Sequence, residues 1–409
     1  MADVDRGVAI VGAGYAGMAA AVSLAERGIR ATIFESGPVP GGRARRVRIS
    51  SEGQGTDLDN GQHVLIGAYA ELYRMMRVVG VAHDALLRMP LEIRYASGFH
   101  FRRLSLPEPF GLAGGLLTAR GIALAERLGA ACFIARLRRA RFRLDTDTTV
   151  SELLERHGQT GRIAHYLWRP LCVSALNTPP QLASANVFLA VLRDSLGGNA
   201  AASDLLLPRV DLSRLFPEPA ADFVGARGGE IRLQSPVKEL GALRQSFGRV
   251  IVAVGPHQLK ALLPDAPEYA YQPIYTCYLQ YGEQVALPLP MLGLADGLVQ
   301  WVFDRGALLG EKGRLACVIS AQGDHQQLSL DEIAERCHRE LAAVLPDIGK
   351  PVWSRVIAEK RATISASPGA KTLPQLDGVA FAGDYTDPEY PPTLEAAVRS
   401  GVRAAQLVP

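Results

Sequence analysis

The sequence lacks the features that usually indicate a metal centre, a disulfide framework or a nucleic-acid partner. It has only 5 cysteines in 409 residues, and no two of them have CxxC spacing. We therefore predict no metal site and no disulfides, which suits a reducing cytoplasm. The net charge of +3 gives a nucleic-acid partner no overall electrostatic support. No uncharged apolar run of about 18 residues occurs, so we expect no transmembrane helix.

The length and composition indicate a globular protein with two domains. A chain of 409 residues is too long for one ordinary core. Apolar residues make up 48% and charged residues 21% of the chain, which suits a packed interior and argues against disorder. The motifs must then indicate what the two domains bind.

The first forty residues carry a β-α-β pattern with a glycine-rich turn. The β-branched run Val8–Val11 leads into GAGYAG at residues 12–17, and Met18–Arg27 is predicted to be helical. A second strand is predicted at Ala31–Phe34 and is followed by Glu35. This order of strand, turn, helix, strand and acid predicts a dinucleotide site.

Each residue type in this pattern has a physical reason. Gly12 permits a tight turn, Gly14 lets the backbone approach a pyrophosphate, and Gly17 lets the helix pack closely on the strand. The positive end of the helix then faces the phosphates. Glu35 can accept hydrogen bonds from a ribose 2′-OH, which disfavours a 2′-phosphate.

Five further segments resemble one superfamily. The segment GGRAR at residues 41–45 resembles the GG-R-x-R element of the FAD-dependent amine oxidases and carotenoid desaturases. Similar elements are DNGQH at 59–63, QSPVKEL at 234–240, RVIVAVGP at 249–256 and FAGD at 381–384. The resemblance implies that the dinucleotide is FAD.

The resemblance also assigns roles to single residues. Arg43 would contact the FAD pyrophosphate, and Asp384 would bind the ribityl or pyrophosphate region. Val237 would lie in a strand, and its backbone would hold the adenine. A helix predicted to begin at Thr393 would direct its peptide N–H groups at the N1 and O2 edge of the flavin, where they stabilise negative charge. The residues expected to contact FAD are Gly12, Gly14, Tyr15, Ala16, Gly17, Glu35, Ser36, Gly41, Gly42, Arg43, Gly61, Gln62, His63, Val237, Gly383, Asp384, Pro392, Thr393 and Leu394.

The same resemblance implies the fold and the domain layout. We expect an α/β protein with a discontinuous Rossmann-like FAD-binding domain, of amine oxidase and desaturase type, and an inserted α+β substrate domain. The FAD-binding domain is predicted at residues 1–92, 206–264 and 366–409, and the substrate domain at 93–205 and 265–365. The first insertion is predicted to be mainly helical. Alternating patterns predict strands at 275–281 and 315–320.

The sequence offers no second GxGxxG motif that would bind a nicotinamide cofactor in a domain of its own. Hydride would therefore come from the substrate, or the flavin would be reduced by an external electron donor.

Residues 121–135 are nearly apolar but too short to span a bilayer, and five arginines follow between residues 136 and 143. This stretch fits a membrane-surface contact that admits a lipid, or a buried helix followed by a solvated basic face. We expect a cytoplasmic protein, which the first interpretation would place peripherally on the inner face of the membrane.

A more specific resemblance lies in WRPLCVSALNTPP at residues 168–180. Together with GQH at 61–63 and GDY at 383–385, it resembles the bacterial hydroxysqualene dehydroxylases. The resemblance implies that hydroxysqualene, an apolar C30 isoprenoid, is reduced to squalene by hydride from the flavin with loss of water. It also implies an apolar tunnel, and Trp168 and Asn177 are candidates to line it.

Such a reaction needs a proton donor for the leaving hydroxyl. His63 follows the turn at 59–62 and is predicted to be the general acid or to orient one, although a positioning or structural role also fits. Tyr385 and Tyr390 are alternatives, since phenols donate protons and line apolar pockets. Two other functions fit the same motifs: an oxidative desaturase or isomerase of another polyisoprenoid, and a non-catalytic prenyl-binding protein.

Overall fold

Two five-stranded sheets, one parallel and one antiparallel, organise the protein. The computed structural model describes residues 7–51, 54–107, 110–196 and 200–409. The expected α/β class with a Rossmann-like parallel sheet is confirmed.

In chain order, the helices are α1 (Tyr15–Glu26), α2 (Ala70–Val78), α3 (Phe110–Thr118), α4 (Leu124–Arg139), α5 (Val150–Arg156), α6 (Gly161–Ile163), α7 (Arg169–Leu176), α8 (Ala185–Leu196), α9 (Leu212–Leu215), α10 (Pro217–Gly225), α11 (Leu240–Ser246), α12 (Pro256–Leu262), α13 (Arg305–Leu309), α14 (Leu330–Val344) and α15 (Leu394–Gln406), with a π-helical segment, Ala164–Trp168, between α6 and α7. The strands are β1 (Val8–Val11), β2 (Ala31–Phe34), β3 (Arg46–Ser51), β4 (Gln54–Asp59), β5 (Leu65–Ile66), β6 (Leu86–Met89), β7 (Glu92–Arg94), β8 (His100–Arg102), β9 (Leu205–Pro208), β10 (Glu230–Arg232), β11 (Arg249–Val252), β12 (Tyr271–Gln280), β13 (Met291–Gly293), β14 (Trp301–Asp304), β15 (Arg314–Ser320), β16 (Trp353–Ile364) and β17 (Val379–Phe381).

The parallel sheet has the strand order β10-β2-β1-β11-β17. Val8 lies opposite Ala31 of β2 on one side and Arg249 of β11 on the other. Because successive side chains of a strand point to opposite faces, Ile10 packs with α1 and α15 while Val11 packs with α11 and α12. Strand β1 is buried on both faces, which explains why it is apolar throughout.

The antiparallel sheet has the order β13-β14-β15-β12-β16. The strands predicted at 275–281 and 315–320 are confirmed as β12 and β15. Helix α14 packs on one face of this sheet, and the hairpin of β3 and β4 packs on the other. Helices α3–α8 occupy most of residues 110–196, which confirms the helical character expected there.

Two local predictions differ from the structure. Helix α1 begins at Tyr15 rather than Met18, because Gly14 already serves as its N-cap in an extended conformation. The strand predicted around Val237 is wrong. Strand β10 ends at Arg232, Gln234 has a φ of 51°, and Pro236 has no N–H to donate to a strand ladder.

Helix α15 packs directly on the backbone of α1. A Cβ atom added to Gly401 of α15 would lie 2.1 Å from the carbonyl oxygen of Ala16, which is closer than any real Cβ contact. Arg27 joins the other ends of the two helices, since its guanidinium donates to the carbonyls of Ala405 and Val408 over 2.8 and 2.7 Å. The two helices therefore hold each other in a fixed position.

We predict that Gly401→Ala lowers the free energy of unfolding by about 1–3 kcal/mol, because the methyl group forces α15 away from α1. The measurement is denaturant unfolding of the purified protein. Gly241→Ala is the matched control, since Gly241 lies in α11 and a Cβ there meets no atom within 4 Å. This control should be neutral or stabilising by up to about 1 kcal/mol. Equal stability of Gly401→Ala and wild type would contradict the prediction.

Candidate active site

A cavity of about 1110 Å³ lies at the carboxyl ends of the parallel strands, where open α/β sheets bind their ligands. The turn after β1, the acid after β2 and the segment after β17 form one wall, and residues of β12, β14, β15 and β16 form the opposite wall. Of the predicted FAD contacts, all except Gly17 line this cavity. Distant segments are thus brought to one place.

The glycine-rich turns form a narrow backbone cradle. Gly41 donates its N–H to the carbonyl of Ala13 over 2.8 Å, so the two turns lie side by side. A Cβ on Gly42, whose φ is 61°, would lie 3.1 Å from the Cα of Gly14. Helix α1 has no side-chain cap at Gly14, so the N–H groups of its first turn are available to an anion. This cradle fits a pyrophosphate.

Glu35 is held in a fixed orientation at the edge of the cradle. Its two carboxylate oxygens accept the N–H groups of Ala13 and Gly37, each over 2.7 Å. Oε1 also accepts the Ser36 hydroxyl over 3.3 Å, whereas Oε2 keeps a further lone pair, so Glu35 can still accept from a ribose hydroxyl. Ser36 and Val237 line the cavity nearby. Val237 does so from an irregular segment and not from a strand.

Arg43 and Asp384 form an ion pair on the cavity wall. The Arg43 guanidinium donates to the Asp384 carboxylate over 2.7 Å and to the carbonyl of Ala362 over 2.8 Å. Burial alone would lower the pKa of Arg43, but the Asp384 carboxylate raises the pKa above its ordinary value. Arg43 is therefore a fixed positive charge with donors left for an anion.

His63 lies on the cavity wall with one ring nitrogen already engaged. Nδ1 is 3.1 Å from the carbonyl oxygen of Gly61, and a carbonyl can only accept, so Nδ1 carries a hydrogen. Burial, and then the charge of Arg43, lower the pKa of His63. The resting imidazole is neutral, and its Nε2 is free to take up a proton and pass it on.

A buried network behind this wall was not predicted from the sequence. Arg305 of α13 donates to Asp59 over 3.3 Å, to Gln62 Oε1 over 3.1 Å and to Glu311 over 2.6 Å. Asp59 also accepts the N–H of Leu212. Burial raises the pKa of Asp59 to about 6, although Arg305 opposes this effect. Because Arg305 occupies Oε1 of Gln62, the amide NH₂ of Gln62 is left for the cavity.

The last helix presents its N-terminus to the cavity, as expected. Thr393 caps α15 by accepting the N–H of Ala396 over 3.2 Å, and Pro392, Thr393 and Leu394 line the cavity. The Glu395 side chain is buried, and accepts the N–H groups at the start of α2. The positive end of α15 therefore lies at the cavity.

The other predicted site residues occupy different places. Tyr385 lines the cavity but packs on the face of the parallel sheet with Val11, and burial raises the pKa of its phenol. Tyr390 and Trp168 lie instead in a smaller adjoining chamber of about 150 Å³. Asn177 lines the larger cavity, but its amide is engaged with Thr363 and Ala321 over 3.0 and 2.7 Å.

The residues present fit FAD. The cradle would hold the pyrophosphate, Glu35 the ribose, and the N-terminus of α15 the electron-rich edge of the flavin. Apolar side chains continue beyond these polar groups, and sequence patterns did not identify them. They are Leu91, Ile93, Leu171, Met291, Trp301 and Phe303.

Comparison with known proteins agrees with this geometry. Residues 15–409 match the model of the flavin-containing amine oxidoreductase family. The chain belongs to this family. It is therefore a flavin-dependent oxidoreductase, and the predicted FAD cofactor is confirmed.

Individual relatives extend the comparison. A hydroxysqualene dehydroxylase from Zymomonas mobilis is 28% identical over 97% of this chain and 98% of its own length. A 15-cis-phytoene desaturase from Narcissus pseudonarcissus is 24% identical over 98% of this chain and 79% of its own length. The solved structure of a cyclohexylamine oxidase from Brevibacterium oxydans matches with a TM-score of 0.67 at 17% identity, covering 99% of this chain and 98% of that one. This last similarity supports the fold alone.

We predict that Arg43→Lys weakens FAD binding about tenfold or more, corresponding to about 1.4 kcal/mol. Lysine keeps the charge but loses the planar fork that spans Asp384, Ala362 and the cofactor. The measurement is titration of apoprotein with FAD, followed by flavin fluorescence. Arg48→Lys is the matched control, because Arg48 is exposed on β3 and lies outside the cavity lining. Unchanged affinity of Arg43→Lys would contradict the prediction.

Proposed function

We propose that the protein catalyses the reductive dehydroxylation of hydroxysqualene to squalene. The observation that carries this proposal is the pair of adjoining cavities. The larger cavity holds the FAD motifs, and the smaller chamber, lined mainly by apolar side chains, shares Val64, Leu91, Leu171 and Thr393 with it. The apolar lining of the chamber suits part of a hydrocarbon chain that extends from the larger cavity, and the dehydroxylase relative supports the identity of the substrate.

In the proposed reaction the protein activates a poor leaving group. Nε2 of His63 gives a proton to the allylic hydroxyl, the C–O bond breaks, and oxygen leaves as water. When bound, reduced FAD supplies the hydride that forms the new C–H bond. The apolar wall, including Leu171 and Met291, excludes water that would recapture the allylic cation.

The phytoene desaturase relative favours a second candidate, the oxidative desaturation of another polyisoprenoid. Both reactions use an apolar chain beside a flavin, but hydride moves in opposite directions. In the desaturase the substrate reduces the flavin, whereas the dehydroxylase needs an external electron donor.

We predict that anaerobically reduced enzyme is reoxidised by hydroxysqualene with formation of one squalene per flavin. The measurement is flavin absorbance in single turnover, with product identified by mass spectrometry. Squalene added in place of hydroxysqualene is the control and should leave the flavin reduced. The desaturase would be favoured if hydroxysqualene did not reoxidise the flavin and if a polyisoprenoid with a saturated segment reduced the oxidised enzyme.

We predict that the single-turnover rate rises about tenfold for each unit of pH decrease between about pH 8.5 and 7.5. The pKa of His63 lies below its ordinary value, so across this range the reactive imidazolium is a minor species that grows as pH falls. His63→Asn should bind FAD, turn over more slowly and show a flat profile. A wild-type profile that is flat, or one unchanged by His63→Asn, would contradict the role of His63.

A further inference from the structure

The positive charge of the chain is concentrated in one segment. Residues 102–143 contain nine arginines and two glutamates, a net charge of +7, whereas the whole chain carries +3. The rest of the chain therefore carries −4. Among the described residues of this segment, the exposed arginines are Arg102, Arg120, Arg136, Arg139, Arg141 and Arg143. A charge asymmetry of this kind indicates an anionic partner.

The same segment exposes large apolar side chains. On α3, Phe110 is 66% exposed, and Leu117 lies two turns later on the same face. The side chain of Leu106 lies beside Gly114, between these two positions. On α4, Leu124 and Leu128 are one turn apart and are 63% and 50% exposed.

Helices α3 and α4 join these side chains into one surface. Arg127 of α4 donates to the carbonyl of Leu117 at the end of α3. Glu126, the acidic residue at the start of α4, is engaged by the N–H groups of Ala123 and Ile163. The two helices that are joined in this way therefore carry both exposed apolar side chains and exposed arginines. We call Leu106, Phe110, Leu117, Leu124 and Leu128, together with the exposed arginines of residues 102–143, the α3–α4 face.

The opposite side of α3 lines the smaller chamber. Leu112 and Leu116, one turn apart, contribute to the chamber wall, and Thr393 at the start of α15 contributes to the wall farther in. One short helix thus separates the exposed apolar face from the chamber that adjoins the flavin site. Within the described ranges, no helix is long and apolar enough to cross a bilayer.

We propose that the α3–α4 face docks on a membrane surface containing anionic phospholipid. Leucine and phenylalanine side chains insert among the acyl chains, while arginines contact phosphate groups. A nucleic acid would use the arginines but leave the leucines exposed to water. The assignment of the chamber as the path of the lipid substrate rests on the proposed function, whereas the docking itself does not.

The test is co-sedimentation of the full-length FAD-loaded protein with vesicles. We expect binding to vesicles of phosphatidylcholine with phosphatidylglycerol, little binding to phosphatidylcholine alone, and weaker binding at high salt. The double variant Arg139→Gln and Arg143→Gln should lose roughly 30-fold in partitioning. Leu124→Ser combined with Leu128→Ser should lose at least about tenfold.

The matched control is Val352→Ser combined with Leu407→Ser, since these side chains are 77% and 72% exposed elsewhere. It should bind vesicles as wild type does. Flavin absorbance and unfolding temperature verify that each variant is folded. Three results would overturn the proposal: no binding of the wild-type protein to vesicles, equal losses in the control and test variants, or binding to nucleic acid without binding to vesicles.

A second readout separates docking from catalysis. With hydroxysqualene in detergent micelles, the leucine variant should turn over as wild type does, and with substrate in vesicles it should be slower. Vesicle binding without turnover in either medium would refute the proposed reaction and leave the docking supported. Equal turnover by variant and wild type in vesicles would overturn docking as the route of delivery.

Discussion

The direct contact between α1 and α15 is the constraint on which the cofactor cavity depends. Gly401 allows the contact at one point, and Gly17 allows α1 to approach the turn after β1, where an added Cβ would lie 1.9 Å from the carbonyl of Gly12. The helices cannot move closer without a steric clash, and moving apart would break the hydrogen bonds that Arg27 donates to Ala405 and Val408. Both N-termini consequently point into one cavity, and their dipoles place positive potential where the pyrophosphate and the reduced flavin carry negative charge.

Gly17 also explains why a cofactor motif contains residues that do not line the cofactor cavity. Its role is to let helix and strand meet, and Arg27 stabilises the far end of the same helix pair. The cavity then combines two chemical environments. Fixed charges and peptide groups occupy the side formed by the parallel sheet, and apolar side chains such as Leu171 and Met291 occupy the other. This division suits a flavin cofactor with a charged pyrophosphate and leaves apolar side chains to line the rest of the cavity.

The sequence predicted the parts of this site that depend on local backbone geometry. The glycine turns, Glu35 and Thr393 have conformations set by their own neighbours, so residue type and spacing were sufficient. The prediction of a strand around Val237 was wrong because it followed the resemblance to the superfamily. Pro236, which has no N–H to donate, already disfavoured pairing in a strand ladder. Trp168 and Tyr390 line the smaller chamber and not the cofactor cavity, because packing between distant helices decides which way such side chains face.

Arg305 shows why the rest required a structure. It is separated from Asp59 by 246 residues, and no local pattern marks an arginine that begins a short helix. Its burial is tolerated because Asp59, Glu311 and Gln62 all accept its hydrogen bonds. The network joins the antiparallel sheet, through α13, to the turn that carries Gln62 and His63. Arg305 therefore links the sheet that carries the apolar wall to Gln62 on the flavin side of the cavity, and a movement of that sheet would disturb the hydrogen bond that orients the Gln62 amide.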